Sequence, residues 1–288
     1  MLSINSTVEL NNGVQMPLLG LGVFRSKSGE ETRAAVRTAL EYGYRHIDTA
    51  RIYCNEKSVG RGIKDSGLKR EEVFVTTKLW RTDYDSPRRG LTESLARLGL
   101  DYVDLYLLHW PFVGFERAYL ELEQLQREGL CRAIGVSNFK IHHFAMLKAA
   151  GATVMPQVNQ TECHPANAEN VLLGWSQAHQ VALEAYSPLG GQGNLLINDP
   201  RILSIAAHYK VSAAQVILRW NLQRGVIVIP KSVHAARILT NSQLYDFELT
   251  PEEMSALGEL DKHERRAWDP DRIEARPPEL WPTPVPED

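Results

Sequence analysis

The sequence predicts an α/β protein that folds as a (β/α)8 TIM barrel, with residues 1–288 forming one domain. Short apolar runs rich in β-branched residues alternate with amphipathic stretches, a pattern typical of buried parallel strands joined by helices. About eight such units follow one another without a break in composition, which favours a barrel over a two-domain dinucleotide-binding protein. A barrel of this class uses about 250 residues, so the chain length agrees with it.

A short β-hairpin is predicted before the barrel. Residues 7–14 read TVELNNGV, and an Asn-Gly step is a strong signal for a hairpin turn. The barrel strands that follow are expected around Leu18, His46, Val75, Leu105, Ile134, Val158, Leu183 and Val228.

Helices are predicted between these strands, where apolar residues recur at helical spacing. Gly43 is a stop signal after the first of them, and Ser212 is the expected N-cap of the last. The clearest helical stretches are residues 32–42, 86–98, 115–128 and 212–223.

The C-terminal end is predicted to be a tail, from about residue 263 to 288. Its last part, residues 277–288, holds five prolines and is expected to be extended, over the barrel or in solvent. Trp268 and Trp281 either close a pocket or only attach the tail. The charged run Glu264-Arg265-Arg266 is expected to be a solvated surface.

Composition excludes several classes of partner. The formal net charge of −3 indicates neither a nucleic acid nor a membrane surface as partner. No signal peptide and no span long enough for a bilayer is expected. Three cysteines, Cys54, Cys131 and Cys163, fit a reducing cytoplasm rather than a disulfide framework.

No metal site is predicted. The two histidine-containing pairs, Cys163-His164 and His142-His143, are adjacent residues rather than ligands at zinc-binding spacing.

Four polar side chains are expected at the barrel mouth. In a parallel barrel the active site lies at the carboxyl ends of the strands. The second strand ends at Asp48, the third at Lys78 and the fourth at His109, and Tyr53 follows Asp48 in the next turn.

Together these four side chains suit carbonyl reduction. A free tyrosine, with a pKa of about 10, is a weak acid, and a nearby ammonium such as that of Lys78 lowers such a pKa. Asp48 pairs with Lys78, and His109 donates a hydrogen bond to the carbonyl oxygen. Taken singly, each residue also has a structural explanation, as a helix cap, an ion pair at the barrel rim or a packing residue. The spacing alone leaves the structural and the catalytic interpretations open.

Six ordered motifs resemble those of the aldo-keto reductases, over roughly residues 7–262. They are GYRHIDTARIYCNE (43–56), TTKLW (76–80), LGLDYVDLYLLHWP (98–111), AIGVSNF (133–139), VNQTECHP (158–165) and IPKS (229–232). Asp48, Tyr53, Lys78 and His109 occupy the family's catalytic positions. Short loops after Ser187 and His109 resemble the microbial branch, which includes diketogluconate reductases and prostaglandin F synthase-like enzymes.

The resemblance implies NADPH (NADP+) as the cofactor. It places Ser137, Asn138 and Gln160 at the nicotinamide carboxamide and Tyr186 against the ring. Lys231, Ser232 and Arg237 would bind the 2′-phosphate. The full set implied is Gly22, Val23, Asp48, Ser137, Asn138, Gln160, Tyr186, Ser187, Leu189, Lys231, Ser232, Val233, Arg237 and Asn241. Thr240 precedes Asn241, where family members often carry an acid or an amide.

The resemblance also implies a small-molecule carbonyl substrate and a monomeric enzyme. The pocket would be formed by Phe24, Tyr53, Trp80, His109 and Trp110, whose apolar walls suit aldehydes and ketones. Two alternatives stay open: an NADP-linked alcohol dehydrogenase that uses the same residues in reverse, and a nicotinamide-sensing binding or regulatory protein.

Overall fold

Parallel strands form the wall of a barrel in the computed structural model, which describes residues 2–191 and 196–276. Eight parallel strands lie within these residues, each paired with its neighbours in chain order. They are β3 (Leu21–Gly22), β4 (His46–Asp48), β5 (Phe74–Leu79), β6 (Val103–Leu108), β7 (Cys131–Ser137), β8 (Val158–Glu162), β9 (Ala182–Tyr186) and β10 (Ile227–Val228).

Backbone contacts between the segments around β3 and β10 close the barrel. Gly20 N donates to Val228 O at 2.9 Å, and Val228 N donates to Leu18 O at 3.0 Å. A further parallel bridge joins Gly22 to Lys231. The predicted (β/α)8 fold is therefore confirmed.

The predicted N-terminal hairpin is also confirmed. Strands β1 (Thr7–Glu9) and β2 (Gln15–Pro17) pair antiparallel, with Val8 opposite Met16. Gly13 has a φ of 84°, a left-handed conformation that glycine adopts without strain. Asn11 Nδ2 donates to Pro156 O and Gln180 O, so the hairpin is attached to the loops before β8 and β9, at the amino ends of these strands.

Helices connect the strands and cover the barrel. The predicted helices agree with the observed ones to within two residues, and Ser212 caps its helix by accepting from Gln215 N. The helices are α1 (Glu30–Glu41), α2 (Glu56–Asp65), α3 (Pro87–Leu98), α4 (Phe115–Arg127), α5 (Ile141–Ala149), α6 (Asn170–Ala178), α7 (Pro200–Tyr209), α8 (Ala213–Gln223), α9 (Ala235–Ser242) and α10 (Pro251–Gly258). In the described part of the chain, none is long and apolar enough to cross a membrane.

Gly60 allows α2 to approach the end of α3. A Cβ atom at this position would lie 1.9 Å from the backbone oxygen of Leu98, so the two elements would have to separate. We expect Gly60→Ala to lower the free energy of unfolding by about 1–3 kcal/mol, measured by urea denaturation.

Gly174 in α6 is the matched control for this substitution. A Cβ there meets nothing within 4 Å, and alanine favours a helix over glycine by roughly 0.5–1 kcal/mol. We expect Gly174→Ala to be neutral or stabilising. Equal losses in both variants would contradict the close packing inferred at Gly60.

The end of the described chain is not simply extended. Residues 261–276, which we call the C-terminal strap, cross the carboxyl end of the barrel and include a 3-10 helix, Pro270–Ala275. Trp268 is half-buried and donates from Nε1 to Arg272 O at 2.9 Å. The predicted extended segment 277–288, with Trp281, lies outside the described residues, as do residues 192–195 of the short loop after Ser187.

Candidate active site

The four side chains proposed for chemistry meet at the carboxyl ends of β4, β5 and β6. Asp48 is the last residue of β4, Lys78 is the penultimate residue of β5, and His109 directly follows β6. Tyr53 ends a 3-10 turn, Arg51–Tyr53, just after β4. The Tyr53 and His109 rings are 5.6 Å apart between centroids.

Asp48 and Lys78 form a buried ion pair. Lys78 Nζ lies 2.7 Å from both carboxylate oxygens of Asp48 and donates to Thr49 O at 2.8 Å. Neither side chain is more than 3% exposed. Burial raises the pKa of the Asp48 carboxyl, whereas the Lys78 ammonium acts in the opposite direction. The predicted pairing is thus present, and it satisfies an otherwise costly buried charge.

The expected lowering of the Tyr53 pKa is wrong for this structure. The Lys78 ammonium lies 5.0 Å from the Tyr53 ring centroid, but the effects that raise the pKa outweigh its charge. Burial, followed by the negative charge of Asp48, raises the pKa of Tyr53 well above its ordinary value. The phenol therefore keeps its proton at neutral pH, which suits a proton donor.

His109 is a neutral imidazole beside this phenol. Burial and then the charge of Lys78 lower its pKa well below the ordinary value. Nδ1 makes no hydrogen bond with the described residues, and Asn138 Nδ2 donates to the His109 backbone oxygen at 3.1 Å. A neutral imidazole has one N–H donor and one acceptor nitrogen, so it can orient a carbonyl oxygen.

Asn55 connects the loops that carry Phe24 and Tyr53. Its Oδ1 accepts from Thr49 Oγ1 at 2.8 Å, and its Nδ2 donates to Val23 O at 2.9 Å. Because Asn55 is fully buried, this bridge restrains both loops at the mouth.

Aromatic side chains surround the phenol and the imidazole. The Phe24 ring lies 5.0 Å from the Tyr53 ring and the Trp80 ring 5.2 Å from the His109 ring. Phe24 is 42% exposed, whereas Trp80 and Trp110 are buried. Phe112, which the sequence did not single out, lies 5.3 Å from Trp80 and extends this wall.

The residues expected at the nicotinamide carboxamide come together at the ends of β7 and β8. Asn138 has a φ of 64°, a left-handed conformation, and its Nδ2 donates to Ser137 Oγ at 3.0 Å. Tyr186 OH donates to Asn138 Oδ1 at 2.7 Å. Ser137 Oγ donates to Gln160 O at 2.9 Å.

The residues expected near the 2′-phosphate follow β10. Lys231 and Arg237 are exposed, and Ser232 is buried beside them. Arg237 lies in the first turn of α9, and the amino end of a helix favours an anion. Val233 is half-buried and Asn241 is buried on the same stretch, while Ser187 and Leu189 lie half-buried in the loop after β9.

Gly22 and Val23 line the mouth between β3 and β10. A Cβ on Gly22 would lie 2.8 Å from Ile229 O, so only glycine allows this close approach of the two backbones. Val23 N donates to Asp48 O at 3.1 Å, which connects this turn to the ion pair.

Glu184 is a buried acid that the sequence reasoning missed. Gln160 Nε2 donates to Asp48 Oδ2 and to Glu184 Oε2, each at 2.8 Å. Burial and then the charge of Asp48 raise the pKa of Glu184 to about 8. The sequence contained a signal for this residue, since Glu184 is the only acid in the apolar strand VALEAY. An isolated acid in such a strand is typical of a side chain directed into a polar interior.

Arg265 is a second residue that was missed, and its interpretation as solvated surface is wrong. Its side chain is only 16% exposed, and Nη2 donates to Asn138 Oδ1 at 2.6 Å. The neighbours Glu264 and Arg266 are exposed as expected. Tertiary structure alone brings residue 265 to the end of β7, so its local sequence carried no signal.

Folding adds an acid to the histidine pair in α5. Asp271 Oδ1 lies 3.1 Å from His142 Nε2 and 3.7 Å from His143 Nε2. However, His143 Nδ1 accepts from Lys140 N, which leaves the proton on Nε2, and Lys140 Nζ already binds Asp271 at 2.7 Å. The carboxylate therefore serves an ion pair that joins the strap to Lys140, just before α5.

Comparisons with known proteins cover nearly the whole chain. A model described as the Aldo/keto reductase family matches residues 18–262. The glyoxal reductase of Bacillus subtilis (strain 168) is 46% identical over 274 residues, which cover 94% of this chain and 98% of that protein. The morphine 6-dehydrogenase of Pseudomonas putida is 48% identical over 279 residues, covering 91% and 94%.

Solved structures agree with these matches. The crystal structure of an aldo-keto reductase from Bombyx mori in complex with NADP has a TM-score of 0.88 and 36% identity, covering 95% of this chain and 98% of that one. The fold of this chain is therefore shared with solved aldo-keto reductases.

Proposed function

This chain belongs to the aldo/keto reductase family, and on that premise we propose that it reduces aldehydes and ketones to alcohols with NADPH. The observation that carries the proposal is that the Tyr53 ring lies 5.0 Å from the ammonium of the buried Asp48–Lys78 pair and 5.6 Å from the His109 ring. Among substrates, we propose small 1,2-dicarbonyl compounds first, because the similar Bacillus protein is a glyoxal reductase.

The side chains present fit NADPH at both ends. Both hydrogens of Gln160 Nε2 are used by Asp48 and Glu184, so its Oε1 is the atom that can accept from a carboxamide. The Tyr186 ring offers a flat face for stacking. Lys231 and Arg237 supply the positive charge that a 2′-phosphate requires.

The chemistry divides between the cofactor and the protein. NADPH, when bound, supplies the hydride. Tyr53 holds a proton at its phenol oxygen and delivers it to the carbonyl oxygen as negative charge develops there. The Lys78 ammonium stabilises the phenolate left behind, and the His109 N–H orients the carbonyl oxygen.

The same groups operate in reverse, with the Tyr53 phenolate as the base. The similarity to morphine 6-dehydrogenase favours NADP-linked alcohol oxidation as the second candidate. The ratio of the two cofactor forms sets the direction. A monomeric state and a cytoplasmic location stay predictions.

The test compares the wild type with Tyr53→Phe in NADPH oxidation with glyoxal, other aldehydes and ketones. We expect the wild type to turn over and the variant to lose about 10²–10⁴-fold in kcat, since it lacks the proton donor. Its affinity for NADPH, measured by fluorescence titration, should be retained.

Tyr42→Phe is the matched control, because it removes a phenol hydroxyl from an exposed site after α1. It should behave as the wild type. Undiminished turnover by Tyr53→Phe would refute the assigned proton donor. Tight NADPH binding with no turnover of any carbonyl or alcohol by the wild type would favour the nicotinamide-sensing alternative.

A further inference from the structure

The C-terminal strap, residues 261–276, is held against the barrel mouth at several points. Glu162, the last residue of β8, accepts from the backbone N–H of Arg266 at 3.0 Å and of Ala267 at 2.6 Å. Ala166 O accepts from Lys262 N at 3.2 Å and Glu264 N at 3.0 Å.

The C-terminal part of the strap is attached by two ion pairs and by the carboxylate of Glu274. Lys140 Nζ lies 2.8 Å from Asp269 and 2.7 Å from Asp271. Glu274 Oε1 accepts from Val113 N at 2.7 Å, in the loop that follows His109. The strap therefore spans the mouth from β8 to the loop after β6, and its backbone has a defined path there.

From this fixed backbone the Arg265 side chain reaches inward. Its five N–H groups have five acceptors: Nε donates to Trp268 O, Nη1 to Thr161 Oγ1 and Glu169 Oε1, and Nη2 to Asn138 Oδ1 and Tyr186 OH. A guanidinium has five donors in a planar fork, so this one is fully used. The side chain bridges the ends of β7, β8 and β9.

The strongest of these bonds goes to Asn138. Its length is 2.6 Å, and it is a charge-assisted hydrogen bond because its donor is the ionised guanidinium. Asn138 Oδ1 also accepts from Tyr186 OH at 2.7 Å, so the guanidinium and the phenol meet at one oxygen. This fixes the amide plane of Asn138 and the position of the Tyr186 hydroxyl together.

We propose that Arg265 is a positioning residue for the nicotinamide, which couples the C-terminal strap to the side chains of Asn138 and Tyr186. The proposal rests on the proposed function, which places those two residues at the carboxamide and the ring. Arg265 acts through them: with it, the amide and the aromatic face are oriented before the cofactor arrives, and less freedom is lost on binding.

The proposal distinguishes the two ends of the cofactor. Arg265 contacts residues at the nicotinamide end, whereas Lys231 and Arg237 belong to the stretch after β10. Removing Arg265 should therefore weaken ligands that contain nicotinamide and leave unaffected a ligand that consists only of the adenosine and its phosphates.

The experiment measures the Kd of NADPH and of adenosine 2′,5′-bisphosphate for the wild type, Arg265→Met and Arg272→Met. Arg272 lies in the same strap with an exposed side chain, so its replacement removes the same charge. For Arg265→Met we expect the Kd of NADPH to rise about tenfold or more and that of the bisphosphate to change less than about twofold. Arg272→Met should match the wild type for both ligands.

Kinetics give a second readout. In Arg265→Met, kcat for carbonyl reduction should fall by about tenfold or more, while the KM for the carbonyl changes little. Arg265→Lys keeps the charge without the planar fork, so an intermediate rise in the Kd of NADPH is expected. This variant also tests the proposal if Arg265→Met does not fold.

Two results would overturn the proposal: an unchanged Kd for NADPH in Arg265→Met, or an equal loss for both ligands, which would indicate a general structural role. Failure of the proposed function is a separate result, since it would appear as a wild type that turns over no carbonyl. The comparison of the two ligands can be made in either case.

Discussion

Replacing Lys78 by Met is expected to lower both the stability of the protein and its activity. The substitution leaves the Asp48 carboxylate buried without its cation, and breaking a buried pair in this way costs about 3–5 kcal/mol. It also removes the charge that stabilises the Tyr53 phenolate, for which we expect a loss of about 10²–10⁴-fold in kcat. Urea denaturation and NADPH oxidation measure the two effects.

A double variant separates the effect of the unpaired charge on stability from the effect of losing Lys78 on catalysis. In Asp48→Asn/Lys78→Met no uncompensated charge is buried, so most of the lost stability should return, while activity should stay low. Lys148→Met, at an exposed site in α5, is the control and should resemble the wild type. If the Lys78→Met single variant were as stable as the wild type, the buried pair would not be needed to compensate Asp48.

Replacing Glu184 by Gln is expected to make the protein less sensitive to high pH. The folded-state pKa of Glu184 is about 8, against an ordinary value of 4.5. As pH rises between these two values, the unfolded chain loses this proton while the folded protein keeps it, so stability falls with pH. Above the folded-state pKa both states are ionised and the loss is complete.

A glutamine at this position is neutral at every pH and can still accept from Gln160. We therefore expect Glu184→Gln to exceed the wild type in stability by an amount on the order of 5 kcal/mol at about pH 9, and by much less at about pH 5. Denaturation curves at the two pH values measure this difference. Glu71→Gln, at an exposed site, should show no such trend.

The opposite pH trend would contradict this account of Glu184. If Glu184→Gln lost stability by the same amount at both pH values, the packing of residue 184 rather than its ionisation would be responsible. If the wild type showed no decline between the two pH values, Glu184 would not retain its proton in the folded state.

Local patterns in the sequence determined the elements of the barrel and the positions of the four side chains at its mouth. The runs around Val75 and Leu105 are apolar and β-branched because both faces of a parallel strand are buried. Since the carboxyl ends of such strands meet on one side, Asp48, Lys78 and His109 could be brought together from strand order alone.

Only the tertiary structure decided the electrostatics of the site. The pKa of Tyr53 depends on burial and on the sum of nearby charges, and burial, followed by the charge of Asp48, outweighs the effect expected from Lys78. The net effect on the pKa depends on distances between the groups in three dimensions, and these distances cannot be read from the spacing of residues along the chain.

The contact between Arg265 and Asn138 likewise could not be predicted from the sequence. In the sequence it stands in a charged run, 127 residues from Asn138, and such runs are usually solvated. In the structure the strap is fixed by Glu162 and Lys140, and the guanidinium then lies within hydrogen-bonding distance of Asn138. The sequence by itself determined that Asp48, Tyr53, Lys78 and His109 lie at the barrel mouth, whereas the packing of the strap added Arg265, because this contact depends on where distant segments meet.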